Sequence, residues 1–409
     1  MATIRQVERF TVTFSGVSTT KTLTTTLLDI TKAFLVFGIE ETSSSPQYGQ
    51  VRGQITNTTT LTFTRYASDA LDVVVTGYVV EFTDGVTVQR GSHTRADVSS
   101  EVTLSSLDLT KSFRICSFSI AGSAYGNDDF QRSRLYDDAG TKKLQFQSIG
   151  GSAGIVDWQV VEYDDCSVQR GLCTITTGSA SITDSITSVD RNKSWLISDF
   201  ETAAANPATN QIRGQINSTV QLTFDRALTD ATNLMNISWE VVEFTDGTIV
   251  QEIFESFVGS DQEEDYTISE VTSLTRAFAC ASGQMCRGGK SDYSANDYEG
   301  NAWFTCDLTS TTNLKTRRGR GDDDADVVIY VIDFPVAVEQ EGFRWRNDDG
   351  DEDEATWKAA QDTDINIAKN TTVRLRVILD SDGNPDACTY QLEWKESNDG
   401  DSEWLKVEP

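Results

Sequence analysis

The sequence is poor in histidine, in basic side chains and in long apolar runs. Its 409 residues include one histidine, His93, which excludes zinc sites and proteases that need two imidazoles. Lys and Arg number 34 against 63 Asp and Glu, so the formal charge is −29. Because phosphate contacts need clustered basic residues, we expect no nucleic-acid partner. No stretch approaches about 18 uninterrupted apolar residues, so we expect no membrane insertion.

Signals for export, for cofactors and for catalysis are also missing. Residues 1–10 alternate like a strand and lack the regions of a cleaved signal peptide, so we expect synthesis in a cytoplasm. The seven cysteines contain no CxxC pair, which argues against a zinc ribbon or a redox pair. The segment Gly150–Gly154 matches GxSxG, but no histidine follows it, so the match is coincidental. The sequence therefore predicts no enzyme activity, no catalytic residue and no cofactor.

The acidic surplus has a particular composition. There are 40 Asp against 23 Glu, and 22 Arg against 12 Lys. Carboxylates hold water and cations tightly, and a surface with few Lys stays soluble where salt screens charge. This bias predicts a halophilic or marine source. The alternative is an acidic surface that only prevents association.

The chain repeats itself four times. One segment, with the pattern Val-Val-Glu-Phe at its end, occurs at 77–82, 158–163, 239–244 and, more weakly, 329–334. A second, Asp-Ile-Thr-Lys-Ala-Phe in its first copy, occurs at 29–34, 108–113, 190–195 and 273–278. Self-similarity at a fixed period is the signature of a repeat architecture. We assign repeats to 1–94, 95–176, 177–258 and a degenerate 259–334, which contains the Gly-rich stretch 286–289.

Each repeat is predicted to consist of β-strands. Thr, Val, Ile and aromatic residues fill short runs with period-two alternation, and no sustained helical period is present. Thr-Asp-Gly at 83–85 and 245–247 is a hairpin signal, so the Val-Val-Glu-Phe strand should turn back at once. The predicted class is all-β, with tandem β-sandwich or barrel-like modules of about 80 residues. A distinct C-terminal β domain occupies 335–409, and we expect the repeats to form a long, rigid molecule.

One acidic column and one basic column recur in the repeats. Acidic residues with apolar neighbours occupy one position of the repeated strand, at Glu81, Glu162, Glu243 and Asp333. Basic residues occupy another position, at Arg52, Arg132 and Arg213. Because a buried carboxylate needs a partner, we interpret these as structural ion pairs, an Arg–Glu clamp inside each module. Acidic residues at exposed strand ends, or four acidic catalytic sites, are the alternatives.

A weak cation site is suggested near the C-terminus. Asp380, Asp382, Asn384 and Asp386 have the spacing of a calcium loop. An EF-hand would place Gly and Glu where this chain has Pro385 and Gln391. A polar turn between two strands explains the segment equally, so Ca²⁺ or another cation is only a minor alternative here.

Two of these segments resemble known proteins. The repeated Trp-x-Val-Val-Glu-Phe-x-Asp-Gly unit and the stretch 342–350 are similar to segments of uncharacterised virion structural proteins from tailed phages and archaeal tailed viruses. The resemblance implies a capsid decoration, turret or fibre protein on the virion, made in the host cytoplasm. It implies no functional residue.

The expected function is therefore that of a non-enzymatic structural protein of a tailed-virus particle. Its expected partners are further copies of itself, in a symmetric oligomer, and other virion proteins. The alternative is a cell-surface adhesin or carbohydrate-binding repeat protein, whose exposed Trp and Tyr would stack on host surface glycans. A glycosidase with paired carboxylates is a third possibility.

Overall fold

The computed structural model describes residues 2–95, 97–126, 129–296, 298–335, 338–351, 354–368 and 371–381, with the two short strands 393–394 and 405–406. Strands account for 55% of the residues and helices for 6%, which confirms the all-β prediction. The chain divides into two compact units, Met1–Pro335 and Val336–Pro409.

The first unit contains four modules that share one strand plan. Module 1 comprises β1 to β6, with bounds Thr3–Phe14, Thr20–Thr24, Ala33–Glu40, Val51–Asn57, Thr60–Arg65 and Val73–Asp84. Module 2 comprises β7 to β12, with bounds Val86–Arg95, Ser99–Thr103, Ser112–Ile120, Arg132–Asp138, Thr141–Gln147 and Gly154–Tyr163. Module 3 comprises β13 to β18, with bounds Cys166–Ile175, Ser181–Ser185, Ser194–Thr202, Arg213–Ser218, Gln221–Asp225 and Met235–Phe244. Module 4 comprises β19 to β25, with bounds Ile249–Phe257, Glu263–Thr267, Ala277–Ala281, Gly289–Ser291, Phe304–Ser310, Asn313–Arg318 and Ala325–Asp333.

Each module is a sandwich of two antiparallel sheets. In module 1 a long sheet has the order β1-β6-β3 and a short sheet the order β2-β5-β4, and modules 2 to 4 repeat both orders. Among the residues that the structure describes, module 4 alone adds a further strand, β22, which pairs with β25. Strand β5 alternates, with Leu61 and Phe63 buried between half-buried threonines. Strand β6, the last strand of module 1 and the central strand of its long sheet, is buried along most of its length, as expected for a strand covered on both faces.

The predicted hairpins after the Val-Val-Glu-Phe strands are wrong. Strand β6 pairs with β1 and β3, whereas β7 pairs with β12 of the next module. The Thr-Asp-Gly segment therefore links two sheets, and Gly85 has the positive φ that such a tight link requires. The sheets thus divide near residue 85, whereas the predicted first repeat runs to residue 94.

Short turns precede the third strand of the modules. They are the 3-10 turns Ile30–Lys32, Leu109–Lys111 and Arg191–Lys193. In each one an Asp side chain accepts a hydrogen bond from the backbone N–H two residues later, as Asp29 does from Thr31. This cap explains why Asp opens the second repeated motif. The other helical segments are Gln284–Cys286, Glu299–Asn301 and the four-residue helices α1 (Pro46–Gly49) and α2 (Pro207–Asn210).

The four modules form a closed ring, so the expected long molecule is wrong. Module 4 contacts module 1 directly: the Val7 N–H donates to the Thr275 carbonyl at 2.7 Å. The Leu308 N–H donates to the Tyr78 hydroxyl at 2.7 Å across the same interface. We call the four module interfaces seams 1/2, 2/3, 3/4 and 4/1. Each repeat thus buries a face against both of its neighbours.

Aromatic side chains fill the centre of the ring in two layers. The aromatic residue that ends the second repeated motif forms a closed cycle of four rings, with centroids 5.5–6.1 Å apart: Phe34, Phe113, Trp195 and Phe278. The last residue of the Val-Val-Glu-Phe motif forms a second cycle, with centroids 5.2–6.2 Å apart: Phe82, Tyr163, Phe244 and Phe334. The pairs are largely edge-to-face, the arrangement that ring quadrupoles favour. Both motifs recur because each supplies one quarter of a layer on a pseudo-fourfold axis.

The second unit contains a two-stranded sheet of β26 (Val338–Asn347) and β27 (Val373–Ser381). The guanidinium groups of Arg344 and Arg346 lie over the Trp357 ring, 4.1 and 4.9 Å from its centroid. A second pair consists of β28 (Glu393–Trp394) and β29 (Leu405–Lys406). Within the described part of the chain, no helix is long and apolar enough to span a bilayer.

Candidate functional site

The predicted arginine column lies at the seams and not inside the modules. Arg52 of module 1 binds Asp157 of module 2, with Nη1 and Oδ2 2.7 Å apart. Arg132 binds Glu201 of module 3 at 3.1 Å. Arg213 binds Asp326 of module 4 at 3.3 Å and also Asp225 of its own module.

The predicted clamp inside each module is therefore wrong in its partners. Module 4 has Thr305 at the arginine position, and its hydroxyl donates to Glu40 of module 1 at 2.6 Å. One strand position thus reaches the following module at all four seams. The reason is geometric, since the strand that carries this position, namely β4, β10, β16 or β23, runs along the next module.

The acidic column holds the turns before the third strands. Glu81 accepts the backbone N–H groups of Leu28 and Asp29 at 2.6 and 2.9 Å and pairs with Arg5. Its equivalents accept the corresponding backbone N–H groups: Glu162 from Asp108, Glu243 from Asp190 and Asp333 from Thr272, at 2.7–2.8 Å. Burial raises the pKa of Asp333, against the lowering effect of these hydrogen bonds. The column is structural, and each acid fixes the turn that presents an axial aromatic ring.

Sequence reasoning missed a second seam column, one residue before the Val-Val pair. Gln159 accepts the Leu35 N–H at 2.9 Å and donates to the Leu35 carbonyl at 2.8 Å, as a neighbouring strand would. Its equivalents Tyr78 and Glu240 also bond across a seam, and the Tyr330 hydroxyl donates to Glu252 of its own module, which in turn accepts the Ile216 N–H of module 3 at 2.9 Å. Only Tyr occurs twice at this position, beside one Gln and one Glu, so comparison of the repeats gives the position little weight.

Seam 2/3 contains a fully buried ion cluster. Arg114 lies 2.9 Å from both Asp199 and Glu240 of module 3. Burial by itself lowers the pKa of Arg114, but the two carboxylates raise it overall. A buried pair of this kind is costly to break, because removing one partner leaves an uncompensated charge. The cluster locks modules 2 and 3 together.

The degenerate part of repeat 4 closes one end of the axis. Gln284 accepts the Cys116 N–H at 2.9 Å and donates to the Arg114 carbonyl at 3.2 Å, both in module 2. The Ser198 N–H of module 3 donates to the Ser282 carbonyl at 2.9 Å. We call residues 282–288 the plug. This one segment of module 4 thus contacts the third strands of modules 1, 2 and 3, which explains why this repeat departs from the others.

Seam 4/1 buries two carboxyl groups near each other. Glu41 and Glu299 are both fully buried. Glu41 accepts the Ser43 N–H at 2.6 Å, and Glu299 accepts amide hydrogens from Asn210 and Gln211 at 2.7 and 2.6 Å. Burial, followed by the Glu299 charge, raises the pKa of Glu41 well above its usual value.

Three equivalent arginines hold loops and were not predicted as functional. Arg226 is buried, and its guanidinium donates to the carbonyls of Ser179, Thr209 and Asn233 at 2.8–3.3 Å. Arg65 and Arg318 make the same kind of bonds in modules 1 and 4. Burial lowers the pKa of all three groups. The shared Leu-x-Phe-x-Arg pattern at 61–65 and 222–226 was the available signal.

The residues considered for catalysis or metal binding have structural surroundings. The His93 ring stacks on Phe146 at 5.2 Å, and burial lowers its pKa. Burial raises the pKa of the Cys173 thiol to about 12, which suppresses thiolate chemistry. Among the described residues no group of three or more His, Cys, Asp or Glu could hold a metal ion. Of the calcium-loop candidates, Asp382, Asn384 and Asp386 lie outside the described residues, and only the backbone of Asp380 is described, in β27.

A crevice with a volume of about 460 Å³ lies at the seam between modules 2 and 3. Arg134 lies over the Tyr136 ring there, 4.6 Å from its centroid. The equivalent crevice at seam 1/2 has a volume of only about 30 Å³. No protein-family model matches this chain, and a search of curated proteins finds no relative.

Proposed function

We propose that this protein is a non-enzymatic structural subunit of a tailed-virus particle. The observation that carries the proposal is the closed ring, whose axis is packed with aromatic rings and whose seams are joined by buried polar bonds. Such a ring is a rigid block with fixed outer faces. A protein lattice needs this property, because its contacts have to recur at constant spacing.

The charge supports an exposed position on such a particle. A chain with 63 acidic against 34 basic residues repels phosphate and would face outwards, away from a packaged genome. The resemblance of the repeated strand and of 342–350 to virion proteins points the same way. Contacts with further copies and with other virion proteins belong to this proposal.

The proposal is tested by deleting the gene from the virus and imaging the particles by cryo-electron microscopy. We expect loss of one regular surface feature, restored when the wild-type gene is supplied in trans. Mass spectrometry of purified wild-type particles should find the protein at a fixed copy number. If deletion particles keep every feature and the protein is found on the host envelope, the adhesin alternative replaces this proposal.

A further inference from the structure

The crevice at seam 2/3 differs from the other seams in its side chains. Arg134 and Tyr136 lie on β10, on the side of module 2, and Leu172 and Trp239 lie on the side of module 3. Trp239 is 5% exposed and its ring packs against Gly171, so it forms the wall. Leu172 is 44% exposed and forms an apolar rim.

Arg134 is the charged side chain of the crevice lining that has no ion-pair partner among the described residues. Among the described residues it takes part in no ion pair and no hydrogen bond, and its Nε is buried. Its position is nevertheless defined, because it lies over Tyr136. The Tyr136 hydroxyl donates to Glu101 at 2.6 Å, and Lys143 pairs with Glu101 in turn. The other charged groups of the crevice have partners: Arg170 with Glu240, and Asp137 with Lys142.

The same two positions carry no such pair at the other seams. Strand alignment places Gln54 and Thr56 at seam 1/2, Gln215 and Asn217 at seam 3/4, and Asp307 and Thr309 at seam 4/1. Packing of the modules does not require an arginine there. The Arg–Tyr pair thus belongs to seam 2/3, where the crevice is also larger than its equivalent at seam 1/2, as expected of a binding site.

We propose that the seam 2/3 crevice binds an acidic sugar, with Arg134 on the sugar carboxylate and the Tyr136 ring and Leu172 against its C–H surface. Its volume of about 460 Å³ lies in the range of small-ligand pockets. A planar guanidinium matches a carboxylate with two parallel hydrogen bonds. The neighbouring Glu101 and Asp137 disfavour a dianion such as a phosphate monoester, since like charges repel. The assignment concerns the purified protein and stands apart from the virion proposal.

The test compares two disaccharides of equal size on the full-length protein by titration calorimetry. The acidic one is glucuronic acid linked to N-acetylglucosamine, and the neutral one has glucose in place of glucuronic acid. We expect the acidic disaccharide to bind at least about tenfold more tightly. Arg134→Gln should abolish this difference, and Gln occurs at the equivalent positions 54 and 215, so the variant suits the fold. Gln54→Ala at seam 1/2 is the matched control and should bind as the wild type does.

Two further measurements keep the assignment open to refutation. Arg134→Lys keeps the charge but loses the planar fork, and should retain only part of the preference for the acidic disaccharide. Equal affinity for both disaccharides, unchanged binding by Arg134→Gln, or no binding at about 10 mM would overturn the proposal. Displacement of the acidic disaccharide by an equal concentration of acetate would mark a general anion site and overturn the sugar assignment.

Discussion

Single polar side chains inside the modules have pKa values that depend on how each copy is packed. Position 93 of module 2 is a histidine stacked on Phe146, whereas the equivalent position of module 4 is Glu255 opposite Thr316. Burial raises the pKa of Glu255 to about 7. A carboxyl group whose pKa is higher in the folded than in the unfolded state stabilises the fold below its unfolded pKa and loses that contribution as pH rises.

We therefore predict that Glu255→Gln stabilises the protein at pH 8 and has little effect near pH 4.5. The wild type loses stability as pH rises from the usual Glu pKa to about 7, because the buried carboxyl then ionises, and the variant avoids this loss. The difference in the free energy of unfolding amounts to roughly 3 kcal/mol. Urea unfolding of wild type and variant at matched pH values measures it. Glu270→Gln, at an exposed position, is the control and should shift little at either pH. A Glu255→Gln effect that is equal at both pH values would contradict the prediction.

Loop-holding arginines give a second prediction at this scale. Arg226→Met removes the donor from three loop carbonyls at once, and unsatisfied buried carbonyls cost about 1–3 kcal/mol each where no water replaces the donor. We expect a loss of about 3 kcal/mol or more in the free energy of unfolding, measured by denaturant titration. Arg317→Met, which removes an exposed ion pair with Glu263, should cost less than about 1 kcal/mol.

Residue roles were predictable from sequence only where both partners lie in the same repeat. The capping Asp and the buried acid are local, so their recurrence was visible. The repeat pattern pairs Arg52 with Glu81, because both positions recur. The actual partner, Asp157, lies at a position that is not acidic in every repeat. The Arg134–Tyr136 pair occurs once, so no repetition singled it out.

At the scale of strands, the seams should be testable as pairs. A double-mutant cycle of Arg52→Gln with Asp157→Asn should show a coupling energy of about 1–2 kcal/mol, because the two groups form one ion pair. The corresponding cycle of Arg52→Gln with Glu81→Gln should be additive within about 0.5 kcal/mol. Denaturant unfolding of the single and double variants measures both. Coupling in the second cycle alone would restore the clamp inside the module.

The strands themselves were largely predictable, and their pairing was not. Alternation and β-branched residues marked β5 and its copies because each is half-buried. The Asp-Gly signal at 84–85 predicted a hairpin, but a turn residue does not decide which strand lies beside it. A glycine and a large aromatic residue also exchange places across the long sheet: Gly91 faces Trp158 in module 2, whereas Phe10 faces Gly77 in module 1. Such compensated exchanges conserve volume but hide the equivalence from residue-by-residue comparison.

At the scale of the molecule, charge predicts a strong response to salt. With a net charge of −29, repulsion among surface carboxylates opposes folding at low ionic strength. We expect the melting temperature to rise between low and molar chloride, as screening shortens to about 3 Å. Calorimetry with sodium chloride measures this, and uncharged sucrose serves as a control for general exclusion effects. A flat or falling melting temperature would contradict the halophilic interpretation.

Ring closure was beyond sequence reasoning, because the acidic partners of the recurring seam arginines lie on different strands at different seams. What recurs on the common axis is two aromatic side chains per repeat, and the four members of each layer become neighbours only when the ring closes. The chain periodicity fixes the number of modules but leaves a line and a ring equally consistent with the pattern.

The plug has a consequence for how such a ring can be assembled. Four identical subunits would bring four copies of residues 282–288 to the axis, where the ring accommodates one. A homotetramer of this module would therefore have to leave that end of its axis open or fill it with a separate molecule. A single chain that carries all four modules can place the plug in one of them only, which four separate identical subunits cannot do.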